Sequence, residues 1–354
     1  MDLSAIRRGM EEAGLDALIL TSSASQRYVS RFNFTDGYVA VGRRTAAVLA
    51  DFRYFEAAKS AVTADFEVRL LERAEPPVLA DTLTGMGARR VGYEDNTVTC
   101  AELERMKRKL PEFTLVPMGS LIDDLREFKT AEEIELIIRA QRIAEGAFRH
   151  VLPLISENMT ENELAAELEY FMRRNGSDAP AFPTIAISGA STSLPHGEPR
   201  DKKLLRGFIT MDYGAEVEGY RSDMTRTVSL GLADAEMKRL YRTVLDAQLA
   251  GIDAVREGAD CGETDKVARD IIEGAGYHRC FGHSLGHGVG MYIHEAPNLS
   301  PSAFGRTLKR GHVVTVEPGI YLEGRYGCRI EDMMALTENG PLDLTDCEKE
   351  LIEL

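Results

Sequence analysis

Residues 210–219 read T-M-D-Y-G-A-E-V-E-G and residues 315–324 read T-V-E-P-G-I-Y-L-E-G, one frame set down twice at a constant offset of 105 residues. Threonine, an apolar residue, an acid, a free position and glycine are followed in both copies by an apolar-Glu-Gly ending. Each copy reads as a strand running into a glycine-ended turn, so the repeat predicts two related halves. With a turn over residues 216–219, the antiparallel partner of Asp212 is Asp223; with a turn centred on Gly324, Glu317 faces Glu331. Directly opposed Cβ atoms in such a ladder stand roughly 4.5–5.5 Å apart, and like charges placed there repel. Taken singly, each acid reads as a solvated strand residue. The same unfavourable pairing at equivalent places needs a common cause, and a cation supplies one. Four converging carboxylates suit two divalent ions about 3.5–4 Å apart better than one.

Histidine extends the set. Of seven histidines, four fall at 196, 283, 287 and 294. His283 and His287 have the i, i+4 spacing of helical zinc ligands, but Gly282, Gly286, Gly288 and Gly290 argue against a helix there. His294-Glu also lacks the second histidine of H-E-x-x-H, which excludes a zincin. One histidine as a ligand, with others donating hydrogen bonds to a substrate, fits the pattern better. His278 and His312 read as satisfied core histidines.

At 354 residues the chain exceeds the size at which one core stops growing, so two domains are expected. The boundary is placed near Asp124, giving 1–124 and 125–354. The first part opens with an amphipathic helix at 2–13 and a buried strand at 16–20, followed by strands at 38–41, 46–50 and 67–71 and helices at 54–64 and 101–110. The second part runs from helices to strands twice, in step with the doubled frame. Thr160 and Glu163 form a capping-box signature before a helix at 164–175, with Gly176 at its C′ position.

The formal charge of −15 sets the chain against nucleic acid and anionic lipid. Five cysteines without CxxC spacing suit reduced thiols. The amino terminus mixes charged with apolar residues, and no run approaches the roughly 20 apolar residues of a membrane span, so a cytoplasmic protein with no membrane partner is expected.

At M-D212-Y-G, S-D223-M-T-R-T, G-H287-G-V-G, T-V-E317-P-G and R-I-E331-D-M the chain resembles the pita-bread metallopeptidases, the family of methionine aminopeptidase, aminopeptidase P and prolidase. Leu194-Pro-His196-Gly and His294-Glu resemble that family's two substrate-facing histidines. Arg53-Tyr-Phe-Glu-Ala-Ala resembles the creatinase-type amino-terminal domain of its proline-specific branch. The resemblance implies an α+β fold, a pita-bread catalytic domain with an internal pseudo-twofold repeat behind a creatinase-type α/β domain, usually in a homodimer. It implies two divalent ions, manganese or cobalt first and zinc or iron next, held by Asp212, Asp223, His287, Glu317 and Glu331, with Asp223 and Glu331 bridging. It implies hydrolysis of the bond before proline in a small peptide, with Glu317 as general base and His196 and His294 as catalytic histidines. His283, with His196, is then expected to position the proline side of the substrate, with Arg329 neutralising a carboxylate or buttressing the ligands and Tyr321 beside them as a further substrate-side residue. A non-catalytic protein of the same shape and a creatinase-like C–N hydrolase are the alternatives. One departure stands out: Tyr292 occupies the position, two before His294, where the branch usually carries an acid.

Overall fold

The computed structural model describes residues 3–72 and 77–354. The chain divides into two compact units, Met1–Arg126 and Glu127–Leu354.

The first unit is built on a six-stranded mixed sheet in the order Phe66–Leu70, Ala46–Ala50, Gly37–Gly42, Ala17–Leu20, Arg90–Tyr93, Thr114–Pro117. Ala17–Leu20 is buried at every residue, as an uninterrupted apolar run requires when both faces of a strand are covered. The helix expected at 2–13 is found as Leu3–Glu12, residue 2 lying outside the described residues; it buries Leu3, Ile6 and Met10, one face of an α-helix. Gly14, at φ 65°, ends the turn that follows it. The strand at Arg90–Tyr93 and the helices Ser23–Ser30 and Val78–Gly85 were not anticipated from the pattern.

The second unit repeats one plan. Helices Ala131–Val151 and Glu161–Arg174 precede an antiparallel sheet of Ile185–Ser188, Gly207–Tyr213 and Met224–Leu230. Helices Ala235–Ala254 and Cys261–Gly274 then precede a five-stranded sheet containing Gly286–Gly288, Val313–Val316 and Asp332–Thr337. The caps recur with the plan, Thr130 and Thr160 in the first half, Asp234 and Asp260 in the second. Thr160 and Glu163 make the expected capping box, and Gly176 beyond the helix has φ 101°. Each half packs its own core, around Phe148, Leu164, Ile209 and Val228 in one and Leu240, Ala268, Val314 and Ile330 in the other. Among the described residues no helix is long and apolar enough to cross a membrane.

The two hairpins differ in how well their registers were anticipated. In the second, Val316 pairs with Asp332 and Gly319 with Arg329, so the expected register holds on both sides of Glu317 and Glu331. In the first, Val217 pairs with Tyr220, and Asp212 stands opposite Thr225, two residues from the expected Asp223. The reason is the turn: Glu218 and Gly219 both adopt positive φ, 51° and 88°, forming a two-residue connection that glutamate gives no sign of. A slip of two keeps Asp223 on the same nominal face but makes its relation to Asp212 diagonal, at about 7–8 Å instead of directly opposed. Glu218 and Glu323 sit in their turns, exposed, and Glu218 pairs with Arg139 at 3.1 Å.

The glycine of the first frame has a steric reason. A Cβ on Gly214 would lie 1.8 Å from the Ser222 carbonyl oxygen, so the hairpin closes beside Asp223 only with glycine there. Gly214→Ala is expected to cost about 2 kcal/mol, seen as a loss of roughly 4–8 °C in the unfolding midpoint of the catalytic unit.

Candidate metal centre

The predicted ligands stand where strands end or break. Asp212 is the penultimate residue of Gly207–Tyr213, Asp223 immediately precedes Met224–Leu230, and His287 is central in Gly286–Gly288. Glu317 follows Val313–Val316, and Glu331 lies between Tyr326–Arg329 and Asp332–Thr337. Two threonine hydroxyls hold these breaks together. Thr315 Oγ1 accepts the His287 backbone N–H at 3.0 Å and donates to Glu317 Oε1 at 3.1 Å. Thr225 Oγ1 donates to Glu331 Oε2 at 2.6 Å and accepts Arg329 Nε at 3.0 Å. Arg226, almost wholly buried, donates to the Glu331 carbonyl at 2.7 Å and to Asp332 Oδ1 at 2.8 Å, joining the two halves directly behind the cage. Sequence reading missed all three. The available signal was the alternation that puts Thr315 with Glu317, and Asp223 with Thr225, on one face of a strand.

Asp223, His287 and Glu331 each offer a ligand atom within 4.8 Å of the others, and all three are buried. His287 Nε2 is 3.3 Å from Glu317 Oε1 and 3.6 Å from Asp223 Oδ2. The Nδ1 of His287 meets the Gly288 carbonyl at 3.1 Å. A carbonyl only accepts, so Nδ1 carries a proton and Nε2 is the atom turned toward the two carboxylates, donating to Glu317 while protonated and offering its lone pair to a cation once it is not. Charge-assisted hydrogen bonds run at about 2.7–2.9 Å. The longer separations here suit atoms gathered around a shared cation. Asp212 is fixed from the other side, with Oδ2 accepting from Arg329 Nη2, while its Oδ1 is buried with no hydrogen-bond partner among the described residues.

Electrostatics give the same result. Burial, reinforced by the Asp212 charge, pushes the Asp223 carboxyl well above the usual carboxylate range. Burial and the Asp223 charge do the same to Glu331. Burial also raises Asp212 against the pull of Arg329. Burial would raise Glu317 too, but the hydrogen bond and charge of His287 outweigh it and hold the carboxyl down to about 2. Burial lowers His287, and the two facing carboxylates then lift it to about 9. An oxygen-rich set with one imidazole, buried and short of positive charge, fits a hard or borderline divalent ion.

The remaining predicted residues divide into two groups. Arg329, Tyr321 and His283 form one chain: Arg329 Nη1 donates to Tyr321 Oη at 2.7 Å, and Tyr321 Oη lies 2.8 Å from His283 Nε2. His283 Nδ1 meets the Ser284 carbonyl at 2.8 Å, so it bears the proton and Nε2 accepts from Tyr321. Both ring nitrogens are therefore engaged, unlike the expectation that His283 donates to a substrate. His294 and His196 are exposed. His294 stands edge-on to His287 with ring centroids 4.4 Å apart, and His196 is near enough for its charge to bear on Asp212, His283 and His294. Of the two histidines read as core, His312 is buried, accepting Lys309 N–H at 3.1 Å and facing Glu127 at 2.8 Å. His278 is exposed instead, because it falls in the irregular stretch after Cys261–Gly274.

Comparison with known proteins agrees with this arrangement. Residues 135–338 match the model of metallopeptidase family M24, and residues 3–128 match the creatinase/prolidase N-terminal domain. The chain belongs to metallopeptidase family M24. The M24 chain is 37% identical to a solved structure described as an Xaa-Pro dipeptidase from Bacillus anthracis, with a TM-score of 0.94 over 99% of each chain. It is 35% identical to an X-Pro aminopeptidase structure from Thermotoga maritima, TM-score 0.92, covering 98% of this chain and 100% of that one. It is 42% identical to an Xaa-Pro dipeptidase of Pyrococcus furiosus over 73% of this chain and 74% of the relative. Family membership and donor set together make this a divalent-metal peptidase, and the fold is the expected creatinase-type domain followed by a pita-bread domain.

The raised carboxyls give a pH signature. The native metal-free M24 chain holds protons on Asp223 and Glu331 that the unfolded chain releases near ~4, so its stability falls as pH rises from about 4 through the higher folded values. Thermal melts of chelated protein are expected to show a lower midpoint at pH 8 than at pH 5.5. Saturating manganese should restore the pH 8 midpoint, by an amount equivalent to ~2.7 kcal/mol at a hundredfold excess over Kd.

Proposed function

We propose that this metallopeptidase hydrolyses the bond before proline in Xaa-Pro dipeptides, and secondarily in short peptides with an N-terminal Xaa-Pro. One observation carries the reading. A cage of Asp223, His287, Glu317 and Glu331, with Asp212 at its edge, lies in a chain that follows an Xaa-Pro dipeptidase along 99% of its length. We assign the cage to two divalent ions, manganese or cobalt before zinc or iron, which Asp212, Asp223, His287, Glu317 and Glu331 would hold. When bound, the ions polarise the scissile carbonyl and acidify a water from ~15.7 toward ~7.

The chain's own residues do the rest. Arg329 holds one oxygen of Asp212 and leaves the other for a ligand bond. Tyr321 and His283 brace Arg329, so these three act on the ligands and not on the peptide. Glu317, oriented by Thr315, takes a proton from the attacking water and returns it to the proline nitrogen. That return is obligatory, because breaking the C–N bond leaves its electron pair on the nitrogen, which must take up a proton to depart as a neutral amine. His294 donates to the oxygen on which charge develops, and His196 steadies the proline side. A cytoplasmic homodimer is the companion proposal.

A substrate-length series tests the reading. Dipeptides Xaa-Pro and a tripeptide Xaa-Pro-Yaa are offered to protein loaded in turn with manganese, cobalt, zinc or iron. Release of free proline from the dipeptides is expected, and no cleavage under any of the four metals would defeat the proposal. Glu317→Ala is expected to lower kcat by ~10²-fold or more with the fold retained. Asp223→Asn should lower the metal content measured after dialysis, and a fully loaded, fully active variant would refute its role as a ligand.

A further inference from the structure

His294 is carried on the turn between Gly286–Gly288 and Glu295–Leu299, and that turn is anchored from a distant part of the same unit. Glu295 Oε1 accepts the backbone N–H of Tyr292 at 2.9 Å, and its Oε2 pairs with Lys129 Nζ at 3.0 Å. Lys129 lies 166 residues away in sequence, one residue before the cap of helix Ala131–Val151. It is itself held, with Nζ donating to the Glu127 carbonyl at 3.3 Å and its backbone N–H donating to the Gly311 carbonyl at 2.8 Å. The two charged side chains are only 1% and 6% exposed. Gly290 makes room for them: a Cβ there would fall 2.5 Å from Glu295 Oε2 and 2.9 Å from Lys129 Cε.

A buried ion pair gives little net stability over apolar side chains of the same volume, since desolvation offsets most of the Coulomb attraction. Orientation is the better reason for keeping one under a turn. We infer that Lys129 and Glu295 are positioning residues, fixing the turn 290–295 so that His294 is held against His287 where it meets the reacting carbonyl. The inference rests on the catalytic reading of His294 given above. The pair touches neither substrate nor metal; it acts by tying Tyr292 N–H and the residue next to His294 to a rigid helix start. A catalytic group displaced by ~1 Å can lose ~10²-fold in rate, so a remote clamp of this kind has a kinetic signature.

The test uses the manganese-loaded full chain and an Xaa-Pro dipeptide. Lys129→Met strands a buried carboxylate and can unfold the chain, so the decisive variant is the double substitution Lys129→Met with Glu295→Gln. It removes both charges of the pair together and keeps an amide oxygen for Tyr292 N–H. Expected is a loss in kcat of roughly 10- to 100-fold, with KM changed by less than about 3-fold and metal content equal to the parent's. Introduced into a His294→Ala background, the same double substitution is expected to cost less than about 2-fold further, because the clamp acts through that histidine. A parental kcat in the double variant, or a loss that persists undiminished without His294, overturns the positioning role alone. A parental kcat in His294→Ala by itself overturns the catalytic reading and the inference with it.

Discussion

Carboxylate repulsion in a dry place is the constraint on which the catalytic unit is organised. Asp223 and Glu331 are almost wholly buried, each raised by burial and by the other carboxylates, and Asp212 and Glu317 adjoin them. Arg329 and His287 supply positive charge, but Arg329 is spent on one oxygen of Asp212 and His287 faces Glu317 and Asp223 together. A chain that assembles such a set without a cation works against its own folding. Divalent metal resolves the conflict, and it is what membership of a metallopeptidase family requires.

The rest of the unit can be understood as the means of holding that set still. Each half contributes a helix pair, a sheet and a hairpin with its own core, and the halves meet through side chains at the cage. Thr225 links Glu331 to Arg329, Thr315 links His287 to Glu317, and Arg226 ties the Glu331 backbone to Asp332. Outside this layer, Asp265 and Arg269 on the helix Cys261–Gly274 clamp the chain that carries His283. Arg269 donates to the carbonyls of Phe281 and His283, and Asp265 accepts Leu285 N–H. Ligand positions set by rigid neighbours are the usual condition for metal chemistry of this kind.

Much of this was legible in the sequence, and the reasons differ from residue to residue. Glu317 and Glu331 were placed correctly because Gly324, at φ 69°, marks the centre of a turn in the expected way. Asp212 and Asp223 were recognised as a pair but misplaced by two residues, because Glu218 takes a left-handed conformation that its side chain does not advertise. Thr225 and Arg226 went unread for another reason: their partners Glu331 and Asp332 lie 105 or 106 residues away, and only the packed halves bring them together. Likewise His283 looked like a free donor until its two ring partners, Ser284 and Tyr321, were placed.

The central claim, that the cage is a two-ion catalytic site, is met most directly by titrating metal-free protein with manganese while following release of proline from an Xaa-Pro dipeptide. Turnover is expected to rise with added metal and to level off at about two equivalents per chain, as a shared pair of ions requires. Full turnover without metal, or saturation at one equivalent with no further gain, would contradict it.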